Sequence, residues 1–467
     1  MTSSPAESTK KWVLALVSAG SLMAVLDAMV VATALSTIRL DLNASINALE
    51  WVVNAYNLSF AVLLLTGAAL GDRFGRRRMF IAGLGIFVAA SAACALAGNI
   101  GWLIAARTVQ GVGAALVMPL AMAILSATFP PGERGKALGI FSSVTGLALI
   151  IGPVVGGAIA QGGSWQWIFW LNIPVGLALI PIARRRIPES FGPAVAVDVT
   201  GVALVTGAGL AVVWGLMQGN SVGWTSVEIV VVLLTGFALA VVFVLHELRA
   251  REPMVPMRLF RHRAFASGIG ASFLLYAGMY GVLFLLPQFL QVAMGNDPLG
   301  TGLRLLPWTA TLFVVAPISG NLVNRVGERV LVVVGLILQA VGMAWIGIVA
   351  APNVPYAELI APLVLAGSGV SMAMPAAQNA ILNAVARPEV GKASGVFNMF
   401  RFLGGISGIA ITVAAFAANG GFTSTSAITA GFVAAIVVST ILSLLGAVAG
   451  MWLPGRRQAL MSTEQEA

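Results

Sequence analysis

Fourteen apolar runs of about 20 residues divide this chain, at 12–35, 51–70, 79–97, 102–126, 137–160, 165–183, 198–217, 226–246, 265–291, 301–323, 330–349, 356–383, 392–416 and 427–452. Each is long enough to cross the hydrocarbon of a bilayer, where a helix satisfies its own backbone N–H and C=O groups. A soluble core has no room for so many. Of the 467 residues 59% are hydrophobic and 9% charged, whereas soluble domains carry about 25% charge. The sequence therefore predicts an all-α integral membrane protein with 14 transmembrane helices.

The few charges say how the chain is threaded. With the N-terminus placed inside, every Lys and Arg falls in a cytoplasmic segment except Arg39, in an outer loop, and Arg107, Arg304 and Arg401, within spans. An error of one helix would scatter them over both faces, so the positive-inside rule supports the count and puts both termini in the cytoplasm. The same clustering reads the net charge of +9 as topology signals, not as a nucleic-acid surface. No small-residue cleavage site ends the first run, which reads as a retained signal-anchor. Cys94 is the single cysteine, and His246 and His262 lie beside basic segments, so no disulfide framework, zinc site or other cofactor site is predicted. No nucleophile–base pair, phosphate loop or metal cluster marks an enzyme.

One charge breaks the first run: Asp27, in "LMAVLDAMVV". A carboxylate at mid-membrane costs about 2.5 kcal/mol or more on insertion scales and marks an ion or substrate path, or a tie to a neighbouring helix. Asp27 lies roughly 12 Å from the outer end of its span, and Arg107 roughly 8 Å from the outer end of the fourth, at 1.5 Å per residue. Opposite charges at similar depth would satisfy each other. Burial disfavours an ionised carboxylate and a cation favours it. A carboxylate caught between the two can be switched by a conformational change, as proton coupling requires; a static ion pair is the plainer alternative.

The first six runs return in the last six. "GVGAALVMPLAMAIL" (111–125) recurs as "GSGVSMAMPAAQNAIL" (367–382), pairing Gly111 with Gly367, Gly113 with Gly369 and Pro119 with Pro375 at an offset of 256. "GKALGIF" (135–141) recurs as "GKASGVF" (391–397) at the same offset, and "DRFGRRR" (72–78) is echoed by "NRVGERV" (324–330) at 252. Order and spacing point to two six-helix halves of common origin, with the runs 198–217 and 226–246 inserted between them. The predicted organisation is a cytoplasmic tail at 1–11, an N-terminal half at 12–186, a linker with the inserted pair at 187–264, a C-terminal half at 265–452 and a cytoplasmic tail at 453–467. The inserted pair carries charge only near its ends, at Asp198, Glu228 and Glu247, which predicts peripheral packing.

Five motifs follow in chain order: "VLDAMVVATAL" around Asp27, "GDRFGRRR" (71–78), "RTVQGVGAAL" (107–116), "GLALIIGPVVGG" (146–157) and "WQWIFWLNIPVG" (165–176). Together with the helix count they resemble the fourteen-helix drug:proton antiporter branch of the major facilitator superfamily, over essentially the whole chain. In that branch they are similar to the acidic first-helix motif, the loop motif between helices 2 and 3, the arginine-headed fourth-helix motif, the antiporter motif of helix 5 and the start of helix 6. Two departures stand out: Ala68 where the loop motif opens with Gly, and Arg304 in "GLRLLPWTATLF" where some relatives carry an acid.

The resemblance implies a major facilitator fold, two six-helix halves plus two inserted helices. It implies a proton-coupled antiporter that exports hydrophobic or cationic small molecules by alternating access, as in multidrug and antibiotic efflux. Proton coupling would rest on Asp27 and Arg107. The gate would comprise Asp72, Arg73, Gly75, Arg76 and Arg77, with Gly75 turning the chain through positive φ. Asp72 would meet the N-terminal dipole of a helix starting near Lys392 and latch the cytoplasmic side. Gly146, Gly152, Pro153, Gly156 and Gly157 would form a smooth, bendable face on the fifth helix.

Candidate substrate contacts are Asn54 and Asn57 on the second span, Tyr276, Tyr280, Phe284 and Gln288 on the ninth, and Met372 and Gln378 on the twelfth. Adaptable Met and aromatic surface suits varied apolar ligands. The partners are then small substrates, protons and the lipid bilayer, for a monomer in the cell membrane. The alternatives are a transporter of amphiphilic lipids or an endogenous metabolite on the same scaffold, and a non-transporting receptor or scaffold. The last would not need Asp27, Arg107 and the antiporter face together.

Overall fold

The computed structural model describes residues 5–192, 198–250, 253–352, 354–385 and 389–455. Of the basic residues that orient the chain, Arg251, Arg387, Arg456 and Arg457 lie outside the described residues. The described residues form helices joined by short segments, with no strand. Among the described residues, fourteen spans are long and apolar enough to cross a membrane, in agreement with the apolar runs.

The first six spans are α1 (Pro5–Asp41), α2 (Ile46–Phe74), α3 (Arg76–Ala95), α4 (Ile100–Thr128), α5 (Pro131–Gly162) and the pair α6 (Trp167–Trp170) and α7 (Asn172–Arg186). The inserted spans are α8 (Val199–Val222) and α9 (Val227–Arg249). The last six are α10 (Arg263–Val292), the broken span α11 (Pro298–Arg304), α12 (Leu306–Thr309) and α13 (Thr311–Val326), then α14 (Glu328–Val349), α15 (Tyr356–Asn383), α16 (Val390–Asn419) and α17 (Thr425–Met451).

Most helices outrun the apolar run that predicts them, because polar first and last turns continue the backbone ladder beyond the hydrocarbon. Side chains close the exposed ends: Ser45 accepts from Ala48 N at 3.2 Å and Asn99 from Trp102 N at 2.8 Å, each satisfying an orphan N–H of a first turn. Two spans expected as continuous are interrupted. Pro174 has no N–H for the Trp170 carbonyl, and the chain turns at Leu171 between α6 and α7. Pro307 likewise leaves the Leu303 carbonyl without its helical donor, at the break between α11 and α12.

The helices cluster in two compact units, the first holding Met1–Thr206 with Asp297–Leu303, the second Gly207–Asn296 with Arg304–Ala467. In the first, α4 packs against α2 and α3, while α1 packs against α5, α4 and α7. In the second, α15 packs against α13 and α14, while α10 packs against α16, α15 and α17. Replacing each helix by its repeat partner converts one set of pairings into the other, so the sequence repeat is a structural one. The glycines explain the closeness. A Cβ on Gly113 would lie 2.6 Å from the Phe87 backbone nitrogen, and one on Gly369 would lie 2.3 Å from the Gln339 backbone nitrogen. At equivalent places, then, only a residue without a side chain lets the helix backbones touch.

The inserted helices form a hairpin within which Gly215 lies under Leu233 and Gly236 under Val212. Along α9, Leu234, Phe237, Val242 and Leu245 are exposed, an apolar surface suited to lipid.

Candidate functional site

Asp27 and Arg107 are buried in the first unit, 2% and 1% exposed. They meet: Arg107 Nη1 pairs with Asp27 Oδ2. The other carboxylate oxygen accepts from Asn172 Nδ2 at 2.7 Å and from Gln110 Nε2 at 2.9 Å. Ser91 Oγ accepts the second N–H of each amide, from Gln110 at 2.7 Å and Asn172 at 3.3 Å. Arg107 also donates through Nη1 to Gln110 Oε1 at 2.7 Å and through Nε to the Val52 carbonyl at 3.2 Å. Its guanidinium lies 4.2 Å from the Tyr56 ring centre, a cation–π contact. Tyr56 in turn donates to the Ala24 carbonyl at 3.0 Å.

Residues of α1, α2, α3, α4 and α7 thus converge on one carboxylate. All three contacts donate into it, the pattern an ionised carboxylate accepts. The carboxylate thus ties α1 to α4 and to α7 through donors alone.

Local sequence places each member. Arg107 and Gln110 stand three apart on α4 and share a face. Asn172 opens α7 after the break at Leu171. Gly111 brings α4 against α2, since a Cβ there would lie 2.4 Å from the Tyr56 carbonyl oxygen.

The turn between α2 and α3 is made by Gly75, at φ +106°, and Gly327 makes its repeat counterpart at φ +89°. Asp72 Oδ1 accepts from Arg76 Nε at 2.8 Å. The segment after α7 clasps the turn: Glu189 Oε1 accepts from Arg77 N at 2.9 Å, the Ser190 carbonyl from Arg76 N at 2.9 Å, and the Asp72 carbonyl from Gly192 N at 3.1 Å. Arg77 Nη1 also donates to the Ile187 carbonyl at 3.2 Å. The guanidinium of Arg73 lies over Phe74.

On α5 the glycine face divides. Gly152 and Gly156 press on α1 at Met29 and Val30. Gly157 meets the Pro298 carbonyl and the Pro153 carbonyl meets Gly302, all within the first unit. Nothing stands within 4 Å of a Cβ on Gly146, so this position serves no close approach.

The candidate substrate contacts fall in both units. Asn54 and Asn57 are buried on α2. Tyr276, Phe284 and Gln288 are buried on α10, and Gln288 Nε2 is committed to the Phe284 carbonyl at 2.9 Å. Tyr280, Met372 and Gln378 are half-buried. Arg401 on α16 lies 4.8 Å from the Tyr276 ring centre, and no carboxylate pairs with it among the described residues. Arg304 bonds Asn296 Oδ1 through Nη1, and Tyr356 donates to its carbonyl at 3.0 Å.

Sequence reasoning missed Gln110, Asn172 and Ser91 as members of the Asp27 site, Glu189 as the clasp, and Glu50 on α2. Gln110 carried a usable signal, its spacing of three from Arg107. Glu50 stands one residue before the apolar run counted from 51, outside the predicted span; α2 in fact begins at Ile46 and buries it.

A sequence profile of the Major Facilitator Superfamily matches residues 17–409. The chain is 34% identical over 394 residues to the multidrug resistance protein Stp of Mycobacterium tuberculosis, covering 84% of this chain and 73% of that one. It is 36% identical over 335 residues to the tetracenomycin C resistance and export protein of Streptomyces glaucescens, covering 70% of this chain and 61% of that one. Among solved structures it superposes on a D-xylose-proton symporter with a TM-score of 0.66 at 16% identity, over 95% of this chain and 98% of that one, a likeness of fold.

Proposed function

Because the chain belongs to the Major Facilitator Superfamily, we propose that it exports hydrophobic or cationic small molecules across the cell membrane in exchange for protons. It is a multi-pass membrane transporter, and efflux is the role its relatives' names carry. A single chain holds both halves and acts as a monomer. Both termini face the cytoplasm, on the strength of the Lys and Arg distribution. No step of this reading makes or breaks a covalent bond in the substrate, so the protein is not an enzyme.

One observation carries the proton reading: Asp27 is buried and accepts from Arg107, Gln110 and Asn172. Neutralising one partner of a buried pair costs roughly 3–5 kcal/mol. About 5.5 kcal/mol turns a 1:99 population into 99:1, so a single proton on Asp27 is of the right size to drive a change of conformation. Protonation loosens α1 from α4 and α7, and proton release restores the tie.

The α2–α3 turn is the cytoplasmic gate in this reading. Asp72 holds Arg76 in the conformation described, and exchanging that partner for a helix N-terminus would latch the gate. Tyr280, Met372 and Gln378 supply substrate contacts on the second half. With Arg401 beside Tyr276, that face suits neutral aromatic molecules better than cations. Proteoliposomes with an imposed pH gradient test the function: flux of a hydrophobic dye should follow the gradient and collapse with a protonophore. Flux indifferent to both would contradict it.

A further inference from the structure

Glu50 and Asn54 stand four residues apart on α2, on one face, and neither is exposed at all. Asn54 Nδ2 donates to Glu50 Oε1 at 3.3 Å. The other two oxygens of the pair, Glu50 Oε2 and Asn54 Oδ1, are buried and find no donor in the protein. Glu50 joins no ion pair among the described residues.

The helices packed on α2 are α1, α3 and α4. At their far ends they carry the group Glu7, Lys10 and Lys11 and the group Arg76–Arg78. Their other ionisable side chains are Asp27, Arg39 and Asp41 on α1, Cys94 on α3 and Arg107 on α4. Arg107 is committed to Asp27, Gln110 and the Val52 carbonyl, and Asp41 Oδ2 accepts from Trp165 Nε1 at 2.7 Å. On α2 itself Tyr56 donates to Ala24.

Two acceptor oxygens without a donor are short of one hydrogen. An ionised Glu50 would be a buried anion with one weak donor and no cation, the costliest state open to it. A proton on Oε2 answers both needs. It neutralises the carboxylate and turns Oε2 from an acceptor without a donor into a donor, on a side chain whose partner Asn54 still has an oxygen in need of one. Asp27, by contrast, receives donors only. We infer that Glu50, paired with Asn54, is a second proton-binding site of the first unit, loaded in this conformation. The proton comes from water, binds one carboxylate oxygen and returns to water when the α2 face is wetted. That it is exchanged in each cycle rests on the antiporter reading; that it is present does not.

Infrared difference spectroscopy of the purified full-length protein in lipid decides the presence. At neutral pH the wild type should show the carbonyl band of a buried protonated carboxyl, absent in Glu50→Gln and retained in Asp27→Asn. The Gln amide keeps a neutral donor where the acid O–H would stand, which favours folding; if it does not fold, Asn54→Leu should shift the same band by removing the hydrogen-bond partner of Glu50. A wild type without the band, or a band that no change at Glu50 or Asn54 alters, overturns the proposal. For its use, the reversal of dye flux against opposed pH gradients should give Glu50→Gln a proton-to-substrate ratio lower by one than the wild type. An unchanged ratio removes Glu50 from the cycle, whereas a wild type with no gradient-driven flux refutes the antiporter reading and leaves the infrared test of the proton's presence unaffected.

Discussion

Asn172 on α7 and Gln110 on α4 donate to the same oxygen of Asp27, at 2.7 and 2.9 Å, and both also reach Ser91. Two neutral amides therefore finish what Arg107 begins. Replacing one of them by an acid separates a switch from a static pair. In Asn172→Asp a second carboxyl replaces a donor beside Asp27. If Asp27 exchanges the coupling proton, the midpoint of the efflux pH profile should shift. A static pair would lose stability without moving the profile.

Arg107 makes contacts that a lysine cannot reproduce together, to Asp27, Gln110, the Val52 carbonyl and the Tyr56 ring, because only the planar fork presents donors in several directions. Arg107→Gln leaves Asp27 buried without its cation and should cost roughly 3–5 kcal/mol, read as a lower unfolding temperature in detergent. Arg107→Lys should fall in between. The double change Asp27→Asn with Arg107→Gln should recover much of the stability and none of the proton-driven flux.

Gly75 is a backbone requirement. At φ +106° an alanine is strained by about 1–3 kcal/mol, and its Cβ would also meet the Glu189 carboxyl at 2.9 Å. Gly75→Ala should therefore lower thermal stability, while Gly85→Ala, with nothing within 4 Å of its Cβ, should not. Equal effects at the two sites would contradict the turn assignment.

The α5 face predicts a similar contrast. Gly156→Ala would place a Cβ 2.5 Å from the Val30 carbonyl oxygen, and Gly157→Ala 2.2 Å from that of Pro298; each should impair transport. Gly146→Ala fills open space and should leave transport near the wild-type rate at matched expression. A strong effect at Gly146 would mean that the glycine acts through something other than close packing.

Much of the fold could be read from the sequence because a bilayer leaves the chain few choices. Apolar run length dictates span number, and the glycines repeated at 111 and 367 dictate which helices approach. Asp27 and Arg107 stood out because charge is rare in such runs. Gln110, Asn172 and Ser91 did not, since a neutral polar residue in an apolar helix has no periodic signature until the partner across the interface is known. The breaks at Leu171 and Leu305 follow from Pro174 and Pro307, but a proline in a membrane helix is often tolerated, so their presence alone does not predict an interruption. Glu50 shows the weakness of run counting: a run counted from 51 leaves out a carboxylate that α2, beginning at Ile46, buries.

The central claim is that Asp27 takes up and releases the coupling proton, and Asp27→Asn tests it most directly. Asparagine keeps the shape and accepts from Arg107, but it cannot exchange a proton. Purified and reconstituted beside the wild type, with unfolding temperatures measured to show that it is folded, the variant should show no substrate flux driven by an imposed pH gradient. Gradient-driven flux at near the wild-type rate in a folded Asp27→Asn protein would contradict the account.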